Sequence, residues 1–138
     1  MKRRYIKLIK IGFTGTQRGM STTQIGYLIN LFEPMRGQEV EVHHGDCVGA
    51  DSQFHHAAKV FGFKTIIHPC TIEHKRAYNE GDVILEPKDP LERNHDIVDQ
   101  VDFLIATPKE RTEVLRSGTW ATIRYAQKMK KEVRIIIP

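Results

Sequence analysis

The chain has 138 residues, of which 40% are hydrophobic and 28% charged, and its formal net charge at pH 7 is +4. This length fits one domain that buries roughly two-thirds of its unfolded surface, and no apolar run reaches the ~20 residues that a membrane-spanning helix needs. The mild positive charge suits a phosphate-bearing ligand but falls short of the basic stripe that marks a DNA-binding protein. With two cysteines and no secretory signal, we expect reduced thiols and a cytoplasmic protein.

Strand and helix patterns alternate from the start of the chain. The first predicted strand covers residues 6–13, and a helix follows from Ser21, where a Ser-Thr-Thr-Gln run fits a capping box. Apolar residues recur in this helix with a 3.6-residue period, and Gly37 ends it. The second predicted strand covers residues 39–44 and the second helix residues 51–61.

The second half of the chain continues this alternation. Its predicted elements are a strand at 64–68, a helix from Asp89, a strand at 102–107, a helix from 117 to about 130 and a strand at 133–137. Asp89 and Pro90 mark the third helix, because Asp is a good N-cap and Pro suits the first turn. Residues 83–85 fit either a short strand or a packed loop.

This alternation predicts an α/β fold with right-handed crossovers and a mainly parallel sheet, that is, a Rossmann-like three-layer fold. We expect one domain over residues 1–138, with five strands in the order 3-2-1-4-5. Ligands of such sheets bind beyond the carboxyl ends of the strands, where the strand order reverses. Here that point lies between predicted strands one and four.

The first turn, residues 12–21, joins a strand to a helix N-terminus. Free backbone N–H groups and the positive end of the helix dipole converge there and favour an anion. The candidate phosphate ligands are Thr14, Gly15, Thr16 and Arg18, whose hydroxyls and guanidinium suit phosphate oxygens. Because the glycine spacing does not match GxGxxG, a tight turn without a ligand is the alternative.

The second turn, residues 43–51, contains two glycines and two aspartates. Gly45 and Gly49 allow a ligand to approach the backbone closely. Asp46 either bonds a ribose hydroxyl or fixes the turn, and Asp51 either lines the site or caps the second helix.

The histidines around this turn do not have the spacing of a metal site. His43 and His44 are adjacent on a strand and therefore point to opposite faces, while His55 and His56 lie about 100° apart on a helix. No pair has the i, i+4 spacing of a helical zinc site, so we predict no metal. We expect a hydrogen bond from His55 to a neighbouring loop.

Two further segments complete the candidate site. Arg93 and Asn94 lie in the first turn of the third helix, where acidic residues are usual, so a role beyond stability is indicated. The alternative is an exposed Arg93 paired with Asp96 or Glu92.

The last turn covers residues 117–122. Ser117 or Thr119 caps the helix, and Gly118 allows a phosphate to approach closely. Trp120 either stacks on a base or, as is commoner, packs at the helix start.

Taken in order, these segments resemble the SLOG superfamily, which includes Smf/DprA and LOG proteins, and most closely its YspA-like, YpsA-related branch. That branch has a Gly-Ser/Thr-rich turn, a turn like VHGGCxxGAD, an RN pair near a helix start, a DxxIAF strand and an SGTW-like turn. The matching segments here are residues 11–18, 42–51, 93–94, 102–107 and 117–122. The match covers nearly the whole chain and keeps its order.

The resemblance implies a fold that binds a nucleotide or nucleotide-derived ligand and requires no other cofactor. Relatives include LOG phosphoribohydrolases, which release a base from a nucleotide monophosphate, sensor domains that bind NAD-derived signals, and DprA-like proteins that bind single-stranded DNA. Because relatives usually pair through helices, it also implies a homodimer or a larger even assembly.

One departure from the LOG pattern favours binding over hydrolysis. LOG enzymes carry PGGxGTxEE, whose glutamates bear on catalysis, whereas here Gly118 and Thr119 are followed by Trp-Ala-Thr. Arg93 does fall where those enzymes keep an arginine.

We therefore predict a protein that binds AMP, ADP-ribose, an NAD-derived ligand or a cyclic nucleotide, as a sensor or sequestering protein. Residues 14–18 and 117–119 are predicted to bind phosphate, and Gly45, Asp46 and Gly49 to form the ribose side. Arg93 is predicted to neutralise charge, and Asp51 and Asn94 are also predicted to belong to the nucleotide-binding site. A phosphoribohydrolase is one alternative. Single-stranded DNA binding, suggested by the net charge and by Lys128, Lys130 and Lys131, is another.

Overall fold

The computed structural model describes residues 7–138. The strands are β1 (Ile9–Gly15), β2 (Val40–His44), β3 (Lys64–Ile67), β4 (Val83–Ile84), β5 (Phe103–Thr107) and β6 (Glu132–Ile135). The helices are α1 (Thr22–Phe32), α2 (Ala50–Val60), α3 (Pro90–Gln100) and α4 (Gly118–Lys128), with short 3-10 helices at Glu33–Met35 and Glu73–Lys75. The predicted start of the first strand, at Ile6, lies outside the described residues.

The strands form one parallel sheet in the order β4-β3-β2-β1-β5-β6. The α/β class and the parallel sheet are confirmed, and the five predicted strands have the expected relative order. The prediction of only five strands was wrong, because Val83–Ile84 pairs with Ile66 and Ile67 and adds an edge strand. Two residues are too few to show the alternation by which a strand is identified in a sequence.

Helices cover both faces of the sheet. On one face, α1 and α2 pack on β1 and β2 through aromatic contacts, with the rings of Phe13 and Phe54 stacked at 4.2 Å between centroids. Phe32 of α1 meets Phe54 edge-on at 5.6 Å. On the other face, α3 and α4 bury Ile97 and Ala126 against the sheet. Within residues 7–138, no helix combines the length and apolarity needed to cross a bilayer.

Side chains cap the starts of α1 and α3, and one side chain of α1 also bonds to the segments that follow β5 and β6. The predicted capping box of α1 is confirmed, since Ser21 and Gln24 exchange bonds of 3.1 and 3.0 Å. The Gln24 side chain is buried, and its amide also donates to the carbonyls of Pro108 (2.8 Å) and Ile136 (2.7 Å). Asp89 caps α3, as predicted.

The two edges of the sheet differ in length. β4 has two residues, whereas β6 has four and carries an ion pair of 3.3 Å between Arg134 and Glu132. The guanidinium of Arg134 also lies over the ring of Phe103, 5.0 Å from its centroid.

Buried histidines from β2, from α2 and from the residue after β3 form two pairs. Nδ1 of His43 lies 2.8 Å from Nε2 of His68, and Nε2 of His44 lies 2.9 Å from Nδ1 of His55. The Asp46 amide donates to Nδ1 of His44 (2.9 Å), so neutral His44 carries its proton on Nε2 and donates it to His55. His55 in turn donates from Nε2 to the carbonyl of Glu80 (3.1 Å), which confirms the predicted bond to a loop.

This chain of bonds requires neutral imidazoles, and burial favours the same state. Burial lowers the pKa of His44 well below its usual range and lowers the pKa of His68 to about 4. The pKa values of His43 and His55 are also lowered, again mainly by burial. A proton added to His44 would place an N–H against the Asp46 amide, where both groups are donors.

We predict that acid destabilises the fold through these histidines. Below about pH 6.5 the unfolded chain binds protons that the folded chain does not. The free energy of unfolding therefore decreases as the pH is lowered, by about 1.4 kcal/mol per pH unit for each affected histidine. Urea unfolding at about pH 7.5 and pH 5 measures this loss. In the His68→Gln variant, the loss of unfolding free energy between these two pH values is expected to be smaller by about 2 kcal/mol. This is the contribution of one histidine whose pKa is near 4 in the folded protein.

His74 provides the matched control, because it is exposed on the 3-10 helix. His74→Gln is expected to leave the pH dependence unchanged. If His68→Gln and His74→Gln have the same pH dependence, buried neutral histidine is not its cause.

Candidate functional site

A cavity of about 370 Å³ opens at the carboxyl edge of the sheet. It lies beside β1 and β5, where the strand order reverses, as the sequence predicts. Its wall includes most of the predicted site residues, namely Thr14, Gly15, Thr16, Arg18, Gly45, Asp51, Arg93, Asn94, Ser117, Gly118 and Thr119. Segments far apart in the sequence therefore meet in one place.

Asp46 and Gly49 do not lie on the cavity wall. Asp46 is buried with a φ of 56°, and its Oδ1 accepts bonds from the backbone N (3.2 Å) and Nδ2 (3.0 Å) of Asn79. Asp46 thus fixes the turn, which is the second of its two possible roles. Gly49 has a φ of 90°, and a Cβ there would meet the backbone of Gln17. Both residues were predicted to form the ribose side of the site, but neither lines this cavity.

Two glycines on the wall are required by the protein's own packing. A Cβ on Gly45 would meet the guanidinium of Arg93, and one on Gly15 would lie 2.6 Å from the Cβ of Ala50. A Cβ on Gly118, in contrast, would meet nothing within 4 Å. Of these three glycines, Gly118 alone leaves room for a ligand against the start of α4.

Arg93 is buried and binds the main chain. Its Nη1 donates to the carbonyls of Gly45 (2.7 Å) and His68 (3.0 Å), and its Nε donates to Oδ1 of Asn94 (2.7 Å). The alternative of an exposed arginine paired with Asp96 or Glu92 was wrong, since both of those carboxylates pair with Lys88. Arg93 therefore joins α3 to the ends of β2 and β3.

Asp51 places a carboxyl group in the cavity. It follows the N-cap of α2, which is Gly49, so Asp51 does not cap this helix. Its Oδ2 accepts from the Cys47 amide (3.1 Å). Burial raises the pKa of Asp51 to about 6, although the nearby charge of Arg93 opposes the shift.

Trp120 packs in the interior. It is 7% exposed and clusters with Ala106 and Ile123, so the packing role is the one observed. Its Nε1 donates to Oε1 of Glu110 (3.1 Å), which holds a second carboxylate at the cavity wall. Ser117 caps α4 by accepting from the Trp120 amide (3.2 Å).

Both cysteines lie on the cavity wall as free, buried thiols. Nη2 of Arg93 approaches Sγ of Cys47 at 3.6 Å. Burial nevertheless raises the pKa of Cys47 to about 12, so this thiol stays protonated and unreactive near neutral pH.

Several residues of the wall were not identified from the sequence, and Lys75, Lys109 and Glu110 are the charged ones. Lys75 comes from the stretch between β3 and β4, which has no clear pattern, and the other two come from the polar loop after β5. With Arg18 and Arg93, the wall has four cations against two carboxylates. An excess of positive charge in a concave site favours anionic ligands.

No family model and no curated protein matches the sequence. The structure is similar to that of the molybdenum cofactor binding protein from the phototrophic bacterium Rippkaea orientalis, with a TM-score of 0.73 and 19% identity, covering 97% of this chain and 79% of that one. It is also similar to the Moco carrier protein from Chlamydomonas reinhardtii, with a TM-score of 0.69 and 19% identity, covering 96% and 78% of the two chains.

A third similar structure is DNA processing protein A from Helicobacter pylori, with a TM-score of 0.65 and 19% identity, covering 92% of this chain and 64% of that one. These likenesses show that the chain has a Rossmann-like fold of the kind found in those three proteins. The predicted Rossmann-like fold is thus confirmed, whereas membership of the SLOG superfamily and of its YspA-like branch stays a prediction.

We predict that Gly45→Ala destabilises the protein by about 1–3 kcal/mol, because the new Cβ displaces a buried guanidinium from its carbonyl partners. Gly118→Ala is the matched control, since a Cβ there is unobstructed and Ala is the better helix former. Its free energy of unfolding should stay within about 0.5 kcal/mol of the wild type or rise. Equal losses for the two variants in urea unfolding would contradict the packing explanation.

Proposed function

We propose that this protein binds a phosphorylated nucleotide or nucleotide-derived ligand in the cavity, and acts as a sensor or sequestering protein. The observation that carries the proposal is the unobstructed start of α4 at Gly118, which faces a wall with an excess of cations. A phosphate there would meet the N–H groups of a helix N-terminus together with the hydroxyl groups of Ser117 and Thr119.

The charges of the wall support an anionic ligand. Arg18 and Lys109 are exposed at the cavity and Lys75 is half-buried, so their charges are accessible to a ligand. Arg93 also lines the cavity and adds its charge there, while its Nη1 donates to the carbonyls of Gly45 and His68. A terminal phosphate carries about −1.5 to −2 charges at pH 7, which suits this surplus of cations.

The similar structures support ligand binding in general. Two are described as molybdenum cofactor binding or carrier proteins, and the third by its mode of binding single-stranded DNA. The nucleotide class proposed here rests on the cavity and on the sequence resemblance.

Isothermal titration calorimetry with AMP, ADP-ribose, NAD and a cyclic nucleotide tests the proposal. We expect at least one of them to bind, and we expect Arg18→Ala to weaken its binding about tenfold through loss of a charge-assisted contact. Arg36→Ala is the control, since Arg36 pairs with Glu33 at 3.1 Å and is not part of the cavity wall. Failure of all four ligands to bind would refute the nucleotide class.

A specific observation also favours a second function, hydrolysis of an N-glycosidic bond. Cleavage of a glycosidic bond uses a carboxylate close to the sugar, and the two glutamates of the LOG motif are absent from the turn after Gly118. Asp51 and Glu110 bring two other carboxyl groups to the same cavity. A pKa near 6 would let Asp51 exchange a proton near neutral pH.

Incubation with nucleoside monophosphates, followed by chromatography for free base, tests this second function. Water would add to the ribose C1′ while the base departs with a proton, giving free base and ribose phosphate. Asp51→Asn is expected to lower the rate about 100-fold, and Glu113→Gln, in an exposed pair with Arg124, is expected to leave it unchanged. Binding without any release of base would leave the first function standing and exclude the second.

A further inference from the structure

We propose that residues 75–80 form a strap that brings a specificity-determining cation, Lys75, to the cavity, and that Asp46 is the residue that positions it. The inference rests on the proposed binding function and adds one ligand-binding side chain and its support. It assigns Asp46 a role through Lys75 rather than through direct contact with a ligand.

Asp46 binds the middle of the strap by both its main chain and its side chain. Its carbonyl accepts from the Ala77 amide at 2.7 Å, and its Oδ1 accepts from the amide and the side chain of Asn79. Asn79 also donates to Oγ of Ser52 on α2 at 3.2 Å. Asp46 is 1% exposed, so these bonds form away from solvent and compete little with water.

The start of the strap is fixed next to the same turn. The Val48 amide donates to the carbonyl of Lys75 at 3.0 Å, and Cys47 and Arg76 form an antiparallel bridge. The main chain of Lys75 is therefore held directly against the second turn. Its side chain is half-buried on the cavity wall.

The end of the strap is held by the histidine chain. The Asp46 amide donates to His44, His44 to His55, and His55 to the carbonyl of Glu80. This chain begins at Asp46 and ends on the strap, so one residue anchors the strap at its middle and, through two imidazoles, at its end.

The charged group of Lys75 has fewer protein partners than that of Arg93. Within residues 7–138, no carboxylate forms an ion pair with Lys75, whereas the guanidinium of Arg93 binds two carbonyls. An unpaired ammonium at the wall of a cation-rich cavity is available to a phosphate as a point charge. Lys75 therefore favours phosphorylated ligands over their unphosphorylated forms.

Titration of AMP into variant proteins tests the role of Lys75. Lys75→Ala is expected to weaken AMP binding about tenfold at low salt, with a smaller difference at about 1 M salt, where charges are screened. Lys75→Arg should retain most of the affinity. Lys64→Ala is the matched control, since Lys64 is exposed at the start of β3.

A double-mutant cycle tests the positioning role of Asp46. Asp46→Ala alone is expected to weaken AMP binding, but in a Lys75→Ala background it should add little, because it acts through Lys75. Since Asp46 has a positive φ that disfavours Ala, Asn79→Ala provides a second variant of the same contact. Asn79→Ala is likewise expected to weaken AMP binding only when Lys75 is present.

The outcomes separate the two proposals. If wild-type protein binds AMP and Lys75→Ala binds it equally well, the strap inference is wrong and the proposed function stands. Fully additive losses for Asn79→Ala and Lys75→Ala would overturn the positioning role. If AMP, ADP-ribose, NAD and a cyclic nucleotide all fail to bind the wild type, the proposed function itself fails.

Discussion

The buried guanidinium of Arg93 is the interaction on which the candidate site depends. One side chain on α3 binds the carbonyl oxygens that end β2 and β3, and so fixes the second turn at the cavity. Such a cation is tolerated in the interior only because its donors find acceptors of good geometry. The absence of a side chain at Gly45 follows from it, since any Cβ there would take the space of the guanidinium.

Local signals in the sequence were sufficient for most of the fold. Ser21, Asp89 and Ser117 cap helices by accepting bonds from the backbone N–H three positions further along the chain. Both partners of each bond are close in the sequence, so the start of each helix can be predicted from the sequence alone. The five longer strands were recognised by their apolar runs and by the turns that follow them. The sequence did not decide whether β4 is a strand or a loop, because two residues are too few to show an alternating pattern. The pairing of β4 with β3 is decided by tertiary structure.

The position of the cavity was predictable from the sequence, whereas the contacts of the residues around it were only partly predictable. The sequence shows that glycines occupy the turns, yet it does not show that Arg93 faces Gly45, which lies 48 positions away. For the same reason the burial of Arg93, which also depends on the carbonyl of His68, could not be anticipated. Lys75 was missed because it comes from a stretch with no periodic pattern, and the hydrogen bond that holds its main chain comes from Val48, 27 positions away.

The unequal edges of the sheet bear on how copies of this chain can associate. β4 offers only two residues to an added strand, and β6 presents Glu132 and Arg134, charges of a kind that discourages edge-to-edge pairing. Neither edge is therefore a good template for extending the sheet into a second molecule. A second copy of this chain would therefore have to associate through the helical layers, where side-chain complementarity rather than backbone hydrogen bonding would select the partner.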